Sequence, residues 1–178
     1  MLTTNDLKFY QRAKRLRDHA MSPNRRYFHE ERGFNYRITN LQAALGVAQL
    51  ERIDDFLSRR GEIMSWYNAE IATTDGVRLN RVKNWADSAF WMVCLEVDAF
   101  DENRRDAFMA ALKKQGIDSR PYFCTMSAMP MYRQTPLPIA SRKAAIGLNL
   151  PSYYELTRSD VRRVGSHVNQ LINELGRA

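Results

Sequence analysis

The sequence predicts an α+β fold: helices at the start, then a small layered region in which strands and helices are mixed. Three observations predict it. Between Leu7 and Ile71 the apolar residues recur at helical spacing. Ala89 to Val97 (AFWMVCLEV) is rich in aromatic and β-branched residues and reads as a strand. From Val161 onward, Val164, Val168, Leu171, Ile172 and Leu175 draw one apolar stripe along a last helix.

The first helix is expected to begin near Asn5. Leu7, Tyr10, Ala13 and Leu16 form its apolar stripe, and the positions between are mostly basic. It is expected to stop before Ser22-Pro23, because proline disfavours helix at the residue before it. Residues 21–38 read as an irregular loop of aromatic and basic residues. Thr39-Asn40-Leu41-Gln42 is a capping-box pattern, with Thr at the cap and Gln three residues on, and a long helix follows. Leu41, Ala44, Leu45 and Ala48 give that helix one small-residue face. Leu50, Ile53, Leu57, Met64, Tyr67 and Ile71 give it another. A change of face predicts a bend, or a helix that packs on two bodies and links them.

Asp75-Gly76 marks a turn. Asp101 is placed to cap a helix carrying Phe108, Ala111 and Leu112, and Lys113-Lys114-Gln115-Gly116 is its stop signal, cations followed by glycine. A short strand is expected within Ile117 to Phe123, confined by Pro121 to an edge or an end. Residues 124–138, with Pro130, Pro136 and Pro138, read as a loop. A short helix covers Ile139 to Ile146, Pro151-Ser152-Tyr153 is a turn, and Thr157 and Asp160 open the last helix.

The 178 residues are 44% hydrophobic and 26% charged, which excludes global disorder. Lys and Arg number 27 against 20 acids, a net charge of +7. That balance favours anionic partners such as a nucleotide or a phosphorylated cofactor. Nucleic acid answers the same charge, but no nucleic-acid motif accompanies the basic N-terminal region. Cys94 and Cys124 have no pairing motif, so a reducing, cytoplasmic setting is expected. No apolar run is long enough to span a bilayer, and no membrane partner is expected.

His19, His29 and His167 lie on separate segments without ligand spacing, so no metal site is expected. Phosphate-binding glycine loops and nucleophile-elbow motifs are absent from the sequence. Cys94 falls in a strand pattern and reads as a small core residue, and Cys124 lacks an identifiable base. Two segments carry chemistry. Gly33-Phe34-Asn35-Tyr36-Arg37 offers an amide, a phenol and a guanidinium just before a helix start, where forked donors and the helix N-terminus favour an anion. A solvated basic loop with one buried tyrosine reads equally well from composition. In Ser119-Arg120-Pro121-Tyr122-Phe123, the arginine beside an aromatic pair suits a ligand carboxylate or diphosphate, or a structural ion pair. Met126, Met129, Met131 and Tyr132 line either a pocket or the edge of a core.

The run Gly33 to Asp54 (GFNYRITNLQAALGVAQLERID) resembles the signature of the DegT/DnrJ/EryC1/StrS family of sugar aminotransferases that depend on pyridoxal 5'-phosphate (PLP). The preceding MLTTNDLKFYQRAKRLRDHAMSPNRRYFHE, and the later GIDSRPYFCTMSAMPMY and LNLPSYYELTRSDV, resemble the family's other motifs in the same order. The resemblance therefore covers essentially the whole chain. Within the family the chain is most similar to the GDP-perosamine synthase type, which aminates GDP-4-keto-6-deoxymannose with glutamate as donor. The resemblance implies the C-terminal half of a fold-type-I PLP aminotransferase. Residues 1–50 would be the tail of the large PLP-binding domain plus the start of a long linking helix. Residues 51–178 would be the small domain, a small antiparallel sheet covered by helices. It also implies dimers with active sites at the interface.

Residue roles follow from the same resemblance. Asn35 reaches the PLP phosphate of the neighbouring subunit, with Arg37 beside it on the cofactor and Tyr36 toward the substrate. Arg120, Tyr122 and Phe123 match a stretch near the sugar-nucleotide site, and Ser127 stands where the family often has histidine. The lysine that holds the cofactor covalently, and the aspartate that pairs its ring nitrogen, lie upstream of the matched stretch. Nothing supports Lys8 or Lys14 as a substitute. No catalytic residue is expected among residues 1–178, and the chain alone is expected not to transfer an amino group. The alternative is a non-catalytic interaction module that pairs with a full-length aminotransferase paralogue. Relatives that replace the lysine by histidine and dehydrate sugars share these motifs too. The first helix and the Leu41/Ala48 face are expected to expose apolar surface.

Overall fold

Asp6 opens the first helix, α1 (Leu7–Arg17), by accepting the backbone N–H groups of Lys8 and Phe9 at 2.8 and 3.1 Å in the computed structural model. The structure describes residues 2–73, 75–132, 135 and 137–175. The side chain of Leu175, and Pro136 of the expected loop, lie outside the described residues. Two compact units divide the chain, Met1–Arg52 and Ile53–Ala178.

In the first unit α1 ends sooner than Ser22-Pro23 requires. His19 and Ala20 take positive φ, 60° and 52°, which halts a right-handed helix. The Ala20 N–H then bonds the Arg15 carbonyl at 3.0 Å. The second helix, α2 (Asn40–Leu50), starts from the expected box: Thr39 accepts the Gln42 N–H, and the Gln42 side chain accepts the Thr39 N–H at 2.9 Å. Neither helix buries a residue. Leu41 is 85% and Leu45 67% exposed. A turn at Glu51-Arg52 separates α2 from α3 (Ile53–Glu70), so the linking helix comes in two segments.

The second unit is built on a four-stranded sheet: β1 (Val77–Arg78), β2 (Val93–Val97), β3 (Arg120–Pro121) and β4 (Gly147–Leu150), in the order β1-β2-β4-β3. Every neighbouring pair is antiparallel. Three helices accompany α3: α4 (Glu102–Lys114), α5 (Pro138–Ile146) and α6 (Arg158–Leu175). Strand alternation decides the two faces of the sheet. Val93, Leu95 and Val97 point into one core with Met64 and Tyr67 of α3, Phe108 and Leu112 of α4, and Val161, Val164 and Val168 of α6. Cys94, Glu96 and Asn149 lie on the other face and are half-buried.

Several boundaries differ from the pattern reading. The strand in AFWMVCLEV is only Val93–Val97, because Phe90 has φ +43° and breaks the extended run before it. Ile117 to Phe123 contributes two paired residues, with Pro121 on an edge strand as its missing N–H demands. Strands β1 and β4 are not visible in the pattern at all. Leu50, Ile53 and Leu57 are exposed, while Met64, Tyr67 and Ile71 of the same stripe are buried.

Candidate functional site

The first candidate residues sit on a loop tied to the end of α1. Phe34 and Tyr36 donate their N–H groups to the carbonyls of Leu16 and Arg17 at 2.7 and 2.9 Å, and His19 donates to Phe34 O at 2.9 Å. This close approach requires glycine at 33: a β-carbon there would come within 2.2 Å of Ala20 N and of His19 C. Arg12 and Arg15 latch the loop further by ion pairs to Glu30 and Glu31.

Extended backbone sends alternate side chains to opposite sides. Phe34 and Tyr36 stack on each other, ring centroids 5.1 Å apart at 8°. Asn35, between them, is exposed, and its amide has no hydrogen bond among the described residues. Arg37 Nη1 donates to Asp18 Oδ2 at 3.2 Å, yet the side chain stays 63% exposed and the rest of its fork has no partner among the described residues. Tyr36 is 72% exposed, which excludes a loop organised around a buried tyrosine. An unbonded amide and most of a guanidinium, two residues apart on one exposed stretch, suit the oxygens of a phosphate. They therefore fit the phosphate end of PLP, while this loop offers nothing for its ring nitrogen or its aldehyde.

The second set of candidates opens onto a cleft of about 600 Å³ in the second unit. Arg120 and Phe123 line it, together with Arg60, Trp91, Asp118 and Tyr153. Arg120 has no ion pair or side-chain hydrogen bond among the described residues, so the structural-pair reading of this arginine fails. Phe123 is 72% exposed. Tyr122 is not on the cleft. Its N–H bonds Gly147 O at 3.0 Å, and its ring lies over Gly147, where a β-carbon would meet it at 2.3 Å. Burial, then Cys94 beside the phenol, pushes its ionisation well above the ordinary tyrosine range. Ser127 lies in a 3-10 turn, half-buried, its hydroxyl 3.4 Å from Thr125 Oγ1, and also off the cleft.

Arg60, Trp91 and Tyr153 escape the pattern reading. Trp91 hides inside an apparent strand, and Arg60 in a helix where a cation at the surface is ordinary. The one available signal is the aromatic pair Phe90-Trp91 directly before the strand. Lys8 and Lys14 are both exposed on α1, Lys14 Nζ sitting 5.7 Å over the Tyr10 ring. No group of His, Cys, Asp or Glu suited to a metal ion occurs among the described residues, and none of their helices is long and apolar enough to cross a membrane.

The DegT/DnrJ/EryC1/StrS aminotransferase family profile matches residues 1–169. A protein named GDP-perosamine synthase, from Caulobacter vibrioides, is 38% identical over 97% of this chain and 47% of its own length. One of the same name from Escherichia coli O157:H7 is 32% identical over 98% of this chain and 47% of its own. Among solved structures, the aminotransferase TlmJ from Streptoalloteichus hindustanus matches with a TM-score of 0.84 at 25% identity, over 97% of this chain and 47% of that one. The chain spans about half the length of the curated relatives it matches.

Proposed function

Since the chain belongs to the DegT/DnrJ/EryC1/StrS aminotransferase family, we propose that residues 1–178 supply the C-terminal share of a sugar aminotransferase. Residues 1–50 would complete the large cofactor-binding domain and residues 51–178 would form the small one. The substrate is a nucleotide-linked keto-deoxysugar of the GDP-4-keto-6-deoxymannose type, aminated to GDP-perosamine with glutamate as donor. The observation that carries this reading is the exposed amide of Asn35 and the largely uncommitted guanidinium of Arg37, on a loop that only glycine at 33 permits.

Family members work with PLP, which when bound supplies the electron sink for moving an amino group. Asn35 and Arg37 hold its phosphate, in a site completed by a neighbouring subunit. Tyr36 stands beside them toward the substrate. Arg120 neutralises the diphosphate of the sugar nucleotide, and Phe123 gives its cleft an apolar wall. Tyr122, packed on Gly147, supports the segment that presents both. The lysine anchor comes from outside residues 1–178, so the chain alone is inactive.

The exposure of Leu41 and Leu45 favours a second reading, a non-catalytic module paired with a full-length aminotransferase paralogue. Reconstitution separates the two. The chain is co-expressed with the lysine-bearing N-terminal half of a GDP-perosamine synthase and assayed for glutamate-dependent amination of GDP-4-keto-6-deoxymannose. Product formed only when both halves are present supports the first reading. A stable complex with a full-length enzyme, without added activity, supports the second. A monomer that restores nothing counts against both.

A further inference from the structure

Among the described residues of the second unit, Phe90 is the one non-glycine residue with positive φ, +43°. A side chain there is strained, and such strain persists only where the surroundings over-determine it. They do so here. Ser88 Oγ accepts the Phe90 N–H at 3.2 Å. Arg60, on α3, donates through Nη1 to the carbonyls of Phe90 and Trp91 at 3.4 and 2.7 Å. Ser152 Oγ donates to the same Trp91 carbonyl at 3.4 Å.

The product of this arrangement is a tryptophan left 66% exposed at the cleft that Arg120 and Phe123 also line. A tryptophan that packs buries a large area. Trp85 is more exposed still, at 82%, but does not line this cleft, whereas Trp91 does. Here the corner is held rigidly while its largest apolar side chain stays in water. A fixed π-face on the same cleft as an unpaired guanidinium offers the two things a nucleoside diphosphate needs, a stacking platform and a forked cation for phosphate oxygens. A volume of about 600 Å³ is ample for one.

Resting on the reading of this cleft as the nucleotide-sugar site, we infer that Trp91 is the residue on which the nucleobase stacks. Arg60 is a positioning residue that acts through the Phe90-Trp91 corner, and Arg120 takes the diphosphate. The base is thus bound by its ring face, and the phosphates are bound independently of it.

The test titrates the full chain with GDP and, separately, with inorganic pyrophosphate, following calorimetry and tryptophan fluorescence. GDP is expected to bind more tightly than pyrophosphate and to quench the fluorescence. Trp91→Leu weakens GDP by roughly ten-fold or more and removes the quench, leaving pyrophosphate unchanged. Trp91→Phe keeps a ring and restores most of the GDP affinity, which a folding defect would not allow. Arg60→Met mimics Trp91→Leu, whereas Arg120→Met weakens both ligands. GDP bound equally by wild type and Trp91→Leu overturns the stacking role but leaves the nucleotide cleft standing. Pyrophosphate bound as tightly as GDP does the same. If neither ligand binds, the cleft reading and this inference fall together, whatever reconstitution yields.

Discussion

Gly33 lies so close to Ala20 that a β-carbon on it would sit 2.2 Å from the Ala20 nitrogen. No rotamer relieves a clash between backbone and Cβ, so Gly33→Ala must push the two strands of the loop apart. The bonds at stake are those of the Phe34 and Tyr36 amides to α1, each worth about 1 kcal/mol net. The substitution is expected to cost on the order of 2 kcal/mol locally. Hydrogen exchange at the Phe34 and Tyr36 amides is the readout. Unchanged protection there defeats the prediction, as does a variant whose Asn35 still supports reconstituted activity.

Tyr67 is wholly buried, and its hydroxyl donates to the Pro151 carbonyl at 2.9 Å. Tyr67→Phe keeps the ring but strands that carbonyl, which is expected to cost about 1–3 kcal/mol in urea unfolding. Burial, more than the nearby Tyr153 and Asp160, also pushes the phenol's ionisation far above the ordinary 10.0. A raised folded value means stability that is complete below pH 10 and drains as pH rises through and beyond it. The alkaline loss should therefore be shallower in Tyr67→Phe. Parallel curves for the two proteins would refute the assignment.

Acid acts on a different pair. Arg78 hydrogen-bonds the Asp98 carboxylate and holds it below its ordinary 3.8. Because the folded value is the lower one, the contribution is present above 3.8 and lost as pH falls past it. Arg78→Met removes this component. The drop in stability between about pH 5 and about pH 3 should be smaller in the variant, though not absent, since Asp160 is also held low by Thr157. Equal drops would mean that solvent screening cancels the pair.

On α2, Leu41 and Leu45 share a face four residues apart and are almost bare. The double variant Leu41→Lys/Leu45→Lys is expected to leave the melting of the second unit unchanged while abolishing concentration-dependent association. Sedimentation velocity across a hundred-fold dilution is the measurement. A wild-type chain that stays monomeric throughout would remove the premise.

Caps and long stripes are legible in this sequence because their physics is local. Asp101 accepts the Arg104 N–H at 2.8 Å, Thr39 forms its box, and α6 runs from Arg158 along its valine stripe. Strand β4 is illegible for the opposite reason. Gly-Leu-Asn-Leu has no strong β preference, and it becomes a central strand only through partners distant in sequence, β2 and β3. The signature loop is a mixed case. Its residue types point to an anion, but only tertiary contact reveals that Gly33 is sterically obligatory and that Tyr36 faces water. Residue pattern alone places Tyr122 only in an aromatic stretch and Trp91 only in a strand; the fold packs the first on Gly147 and sets the second at the cleft.

The central place of β4 also sets a timetable for the nascent polypeptide. When Val97 leaves the ribosome, β2 has only the two residues of β1 to pair with, a hairpin too small to stand alone. Its main partner, Gly147–Leu150, emerges after α4, β3 and α5 have all been made. Throughout that interval Val93 and Leu95 offer an open strand edge to chaperones or to a neighbouring nascent chain. Translation products that stop short of residue 147 should therefore be degraded rather than accumulate.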